Sequence, residues 1–128
     1  MKLLLDTHTF LWFISGDPKL TIAARGLIED AANDVLLSAA SHWEMAIKVS
    51  LGKLTLAEPF AVLVPRELTR NRVGTLPIEL THTTLVCSLP FHHRDPFDRL
   101  LIAQSLTENV PIVGSDVTFD AYGVKRLW

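Results

Sequence analysis

Apolar residues arrive along this chain in two rhythms. Lys2 to Leu5, Val35 to Leu37, Val73 to Leu76 and Ile112 to Gly114 are short runs bounded by polar or turn residues, and they read as buried strands. Between them lie stretches of helical spacing: Thr9 to Ile14, Thr21 to Ala32, Ser41 to Ser50, Pro59 to Asn71, Thr81 to Leu89 and Asp95 to Glu108. A helical turn over Val117 to Tyr122 and a last strand over Val124 to Arg126 complete the series.

The punctuation agrees with this division. Ser15-Gly16-Asp17-Pro18 breaks the first helix, and Asn33-Asp34 turns the chain into the second strand. Ser41 and Glu44 have the spacing of a capping box, and Gly52 fits a stop beyond that helix. Pro59 opens the next helix and arginines close it, where the dipole favours them. Pro77 bars the third strand from continuing as a central one.

Short apolar strands alternating with helices predict an α/β fold, a three-layer α/β/α sandwich around a short, mostly parallel sheet. At 128 residues, 48% of them hydrophobic, the chain is expected to form a single domain spanning 1–128 with a real core. The apolar N-terminal run is interrupted by Asp6 and His8, and no apolar stretch is as long as a membrane span. One cysteine, Cys87, excludes an internal disulfide and fits a reducing, cytoplasmic setting.

Charge narrows the chemistry. The net charge is −2, so bulk electrostatic attraction to nucleic acid is excluded. Parallel sheets bind ligands beyond the carboxyl ends of their strands. Asp6 follows the first strand there, Ser38 the second, and Ser115 and Asp116 the fourth; Glu44 and Asp98 stand on helices that approach the same edge. Each acid also has a structural reading. Asp6 or Asp116 could cap a turn, and Glu44 could serve the capping box or pair with Lys48. Asp98 is harder to explain structurally, because Asp95 already suits the N-cap and Pro96 the first helical position.

Taken together, the acids suggest a cation. Two carboxylates about 4–5 Å apart repel by roughly 3–4 kcal/mol at an effective dielectric near 20. A divalent cation with a taste for oxygen, Mg²⁺ or Mn²⁺, relieves that repulsion and supports phosphodiester cleavage without bulk positive charge.

The stretches "DTHTFLW", "HWEMAIKVSLGKL" and "HRDPFDRLLIAQ", followed by Ser115-Asp116-x-x-Phe119, resemble the PIN-domain nucleases and, more narrowly, the VapC-type toxins of toxin–antitoxin pairs. The resemblance runs in order along essentially the whole chain. It implies a Mg²⁺- or Mn²⁺-dependent endoribonuclease, with Asp6, Glu44, Asp98 and Asp116 as the catalytic, metal-binding acids. Thr7 and Ser115 are candidates to hold those acids or a water at the metal. It also implies an RNA substrate, a small VapB-like antitoxin and a homodimer. Asp120 stands close to Asp116 as a competing candidate, and Asp95 is an additional acid assigned to the N-cap.

Other residues carry double readings. His92 and His93 are adjacent and lack the spacing of a zinc pair. His8 and His42 could touch phosphate or serve as hydrogen-bonded structural groups. Trp12 and Trp43 are expected in the core or a dimer interface rather than stacked on bases. Arg94, Arg99 and Lys48 could meet phosphate, solvent or the acids, and Cys87 reads as core filler. Rival phosphotransfer readings fail on spacing: a HAD-type phosphatase wants an aspartate where His8 stands, and a receiver domain wants paired acids at the first strand. The alternative from another class is a catalytically inactive PIN-like binding module acting through its protein partner.

Overall fold

A computed structural model describes all 128 residues. Five strands form one sheet, β1 (Lys2–Leu5), β2 (Asp34–Ser38), β3 (Gly74–Leu76), β4 (Ile112–Val113) and β5 (Arg126–Leu127), in the order β3-β2-β1-β4-β5. Every neighbouring pair is parallel. The helices are α1 (Thr7–Ser15), α2 (Ile22–Glu29), α3 (Ala39–Ser50), α4 (Phe60–Arg70), α5 (Leu80–Val86) and α6 (Pro96–Glu108), with a 3₁₀ turn at Val117–Tyr122.

The sheet is buried on both sides because β1 alternates between two cores. Leu3 and Leu5 pack with Phe10, Ala24, Ile28, Met45 and Val64 of α1 to α4. Leu4 points the other way, to Leu101, Ile102, Ala103 and Phe119. All three leucines are 0% exposed, which accounts for an unbroken apolar run where a one-sided strand would alternate. This is the expected sandwich. No helix is long and apolar enough to cross a membrane.

The register sets the site. Leu5 pairs with Leu37 on one side and with Val113 on the other. The next residues, Asp6, Ser38 and Gly114, therefore leave the sheet at one level, where the chain order reverses between β1 and β4.

Two junctions differ from expectation. There is no loop between strand and helix at β1–α1 or β2–α3, so α1 starts at Thr7 rather than Thr9 and α3 at Ala39 rather than Ser41. Asp6 and Ser38 are the N-caps, accepting from the amides of Thr7 at 2.8 Å and Ala40 at 3.0 Å. The capping box expected at Ser41 and Glu44 therefore does not form. Ser41 lies inside the helix, where its hydroxyl accepts from that of Thr7 at 2.8 Å.

Candidate active site

Asp6 stands at the carboxyl end of the central strand and is 5% exposed. Its amide donates to the Val113 carbonyl at 3.0 Å, and its Oδ1 accepts from the Thr7 amide. Burial pushes its carboxyl up to about 6, with Glu44 and Asp116 adding to the rise and His8 opposing it. Thr7 contributes this amide, while its hydroxyl ties α1 to α3 through Ser41.

Glu44 projects from the second turn of α3 and is 4% exposed. Its Oε2 accepts from Lys48 Nζ at 2.9 Å, one of the structural pairings open from sequence. Its Oε1 is buried and has no partner. An orphaned carboxylate oxygen is costly in a protein interior unless something binds it.

Asp98 sits in the first turn of α6. Asp95 caps that helix as expected, its Oδ1 accepting from the amides of Phe97 at 2.8 Å and Asp98 at 3.3 Å. Burial first, then the charges of Asp6, Asp95, Glu44 and Asp116, push the Asp98 carboxyl up to about 8. Asp98 thus lies within electrostatic reach of four other acids.

Asp116 caps the 3₁₀ turn, accepting from the Thr118 amide at 2.9 Å. Burial raises its carboxyl, but hydrogen bonds from Thr118 and His93 outweigh this and hold it below the ordinary carboxylate range. Asp120 points elsewhere: both its oxygens accept from Arg126, at 2.9 and 3.2 Å. Ser115 is exposed, and Thr118 rather than Ser115 supports Asp116.

His93 was the residue sequence reasoning passed over. Its Nε2 lies 3.1 Å from Asp98 Oδ2 and 2.9 Å from Asp116 Oδ2. One donor atom from each of these three residues falls within 4.8 Å of the others, spacing that suits a single cation. The only available signal was its position two residues before the N-cap of α6.

Several side chains depart from their expected surroundings. Arg99 meets neither phosphate, solvent nor acid. It is 5% exposed and donates to the carbonyls of Val86, Leu89, Pro90 and His93, at 3.3, 3.1, 2.9 and 3.3 Å. Trp43 is not core: it is 60% exposed, its ring edge-on to Phe97. Cys87 is exposed, its Sγ 3.6 Å from the Thr83 carbonyl, so it fills no core. Trp12 is partly buried against the core beside Trp128. His8 is exposed, while His42 has a buried Nε2 without a partner.

The donor set fits a divalent cation. It offers neighbouring carboxylates, one buried oxygen without a partner, and carboxyls driven upward by burial and by one another's charge.

Comparison with known proteins gives the family and the fold. The family model of the PIN domain matches residues 3–125. The chain is 47% identical over 58 residues to Ribonuclease VapC16 of Mycobacterium tuberculosis (strain ATCC 25618 / H37Rv); that stretch is 45% of this chain and only 40% of the relative. The fold resembles VapBC2 from Rickettsia felis, solved bound to a DNA fragment from their promoter, with a TM-score of 0.73 and 15% identity over 99% of this chain and 98% of that one. It also resembles VapBC-1 from nontypeable Haemophilus influenzae, with a TM-score of 0.65 and 15% identity over 99% and 97% of the two chains. FitAcB from Neisseria gonorrhoeae matches with a TM-score of 0.60 and 17% identity over 98% and 96%.

Proposed function

We infer the function from one premise: this chain belongs to the PIN-domain family. It is a divalent-cation-dependent endoribonuclease that cleaves RNA phosphodiester bonds and acts as the toxin of a toxin–antitoxin pair in the cytoplasm. The observation that carries the reading is the unpartnered, buried Oε1 of Glu44 beside an Asp98 whose carboxyl is pushed up to about 8. Such a cluster is poorly compensated without a cation.

Asp6, Glu44, Asp98 and Asp116 would hold Mg²⁺ or Mn²⁺. When bound, the ion supplies Lewis acidity toward the phosphodiester and its attacking water. The chain's own groups fix the acids. The Thr7 amide holds Asp6, Lys48 turns one oxygen of Glu44 away and leaves the other free, and Thr118 holds Asp116. Four acids from separate segments place negative charge where RNA must approach, so substrate entry depends on that charge being neutralised first.

The partners follow from relatives. The similar solved structures include VapBC2, VapBC-1 and FitAcB. By analogy, this chain is covered by a small VapB-like antitoxin and works as a homodimer.

The test is cleavage of a mixed RNA pool by wild type and Asp98→Asn, with Mn²⁺ and with chelator. Cleavage by wild type with Mn²⁺ alone, lost in Asp98→Asn, is expected. Stoichiometric Mn²⁺ binding without cleavage of any RNA would favour the inactive binding module. Cleavage that persists in chelator would overturn the metal-dependent reading.

A further inference from the structure

We propose that His93 is a built-in occupant of the cation site: in the metal-free protein its Nε2–H bonds to Asp116 and stands against Asp98, and an entering divalent cation displaces the ring. The inference deepens the metal-dependent reading above and rests on it.

Hydrogen-bond directions carry the inference. The Asp95 amide donates to His93 Nδ1 at 3.2 Å. A main-chain N–H can only donate, so Nδ1 must offer its lone pair, and the neutral ring carries its proton on Nε2. Nε2 then donates to Asp116 Oδ2 at 2.9 Å, and Asp98 Oδ2 lies 3.1 Å from the same nitrogen. A protonated nitrogen is not a ligand. To ligate through Nε2, the ring would have to move its proton to Nδ1, against the Asp95 amide hydrogen. The N–H and a cation therefore compete for the same carboxylate oxygens.

The surroundings allow the ring to leave while the main chain stays. The His93 amide donates to the Tyr122 hydroxyl at 2.7 Å, and its carbonyl accepts from Arg99 at 3.3 Å. The ring itself only stacks on Phe119, at 6.0 Å between centroids, and its side chain keeps 15% of its surface in solvent. Rotation about the side-chain bonds is the available exit. In the metal-free state the ring's N–H takes the place between Asp116, which it bonds, and Asp98, which it faces.

The experiment titrates chelator-stripped wild type and His93→Ala with Mn²⁺ by calorimetry. Loss of the hydrogen bond to Asp116 that binding must otherwise break is expected to tighten Mn²⁺ binding about tenfold, while lowering the melting temperature in chelator. Weaker Mn²⁺ binding in the variant would make His93 a ligand, and unchanged binding would make it a bystander; either overturns the inference and leaves the metal reading intact. A second measurement needs no variant. Histidine ¹⁵N spectra of wild type should show a protonated Nε2 and an unprotonated Nδ1 in chelator. Saturating Mg²⁺ should then bring both ring nitrogens to the averaged shifts of a free, tautomer-exchanging imidazole. An unchanged ring, or one locked with its proton on Nδ1, overturns the inference. Wild type that takes up neither ion removes the inference together with the reading beneath it.

Discussion

Gly114 lies so close to Asp6 that a β-carbon added to it would stand 3.1 Å from the aspartate's own β-carbon. The same atom would stand 3.4 Å from the Phe119 ring. Asp6 cannot retreat freely, because its amide is bonded to Val113 and its Oδ1 to Thr7. Gly114→Ala is therefore expected to cost about 1–3 kcal/mol of stability through overpacking and to weaken Mn²⁺ binding. Thermal melts and calorimetric titration check both, and wild-type affinity would show that Asp6 tolerates the intrusion.

Asp98→Asn removes a charge that burial and four neighbouring acids oppose. In chelator at pH ~8.5, above the raised carboxyl, the variant should be more stable than wild type by on the order of 1–2 kcal/mol. Wild type should gain stability from Mn²⁺ by mass action and the variant should gain little. A variant that melts lower in chelator would mark Asp98 as a structural residue.

The metal-free protein should lose stability as pH rises. Asp6 and Asp98 bind their protons more tightly folded than unfolded, at about 6 and about 8 against 3.8. Their contribution is fully present below the unfolded value and is lost as pH climbs through those two values. Asp116, held low, acts oppositely and only in the acid range, where its contribution fades as pH falls. Melting temperature in chelator should fall between about pH 5 and pH 9, while the gain from Mn²⁺ grows over the same window. A flat profile in chelator would remove the mutual repulsion on which the site depends.

Arg99 satisfies four carbonyls of the segment that leads from α5 to α6. Arg99→Met leaves the Leu89 and His93 carbonyls without partners, while Pro90 keeps the Tyr122 hydroxyl and Val86 the Leu89 amide, and should destabilise the fold by about 3 kcal/mol. Arg99→Lys should recover little, because one ammonium cannot reproduce a planar fork that serves two pairs of acceptors. Denaturant unfolding of the two variants checks the order.

The fold was legible in the sequence because the strands bury both faces. Leu3, Leu4 and Leu5 announce a sandwich by failing to alternate. Asp6 and Asp116 were legible from their places after β1 and β4, and Asp98 because Asp95 already held the cap. Glu44 was seen, yet its surroundings were misread: the cap lies three residues earlier than the capping-box spacing suggested, at Ser38. His93 and Arg99 were illegible for one reason. Their partners are carbonyls and carboxylates whose contacts leave no periodic trace, and a buried guanidinium looks in sequence like a surface one. Trp43 lies outside the core of the chain, since helix periodicity alone does not tell a face buried within the fold from an apolar one left on its surface.

The β1–β4 seam joins two distant parts of the chain at the site. The Asp6 amide and the Thr9 hydroxyl both donate to the Val113 carbonyl, at 3.0 and 2.9 Å, so one oxygen anchors the start of α1 to β4. Fraying of β4 would thus carry away both the anchor of Asp6 and the segment that bears Asp116. In native-state hydrogen exchange, the amide of Asp6 should exchange only through the larger openings of the sheet, with protection near that of the central β1 amides. An acidic cluster assembled across such a seam should open together with the sheet rather than ahead of it.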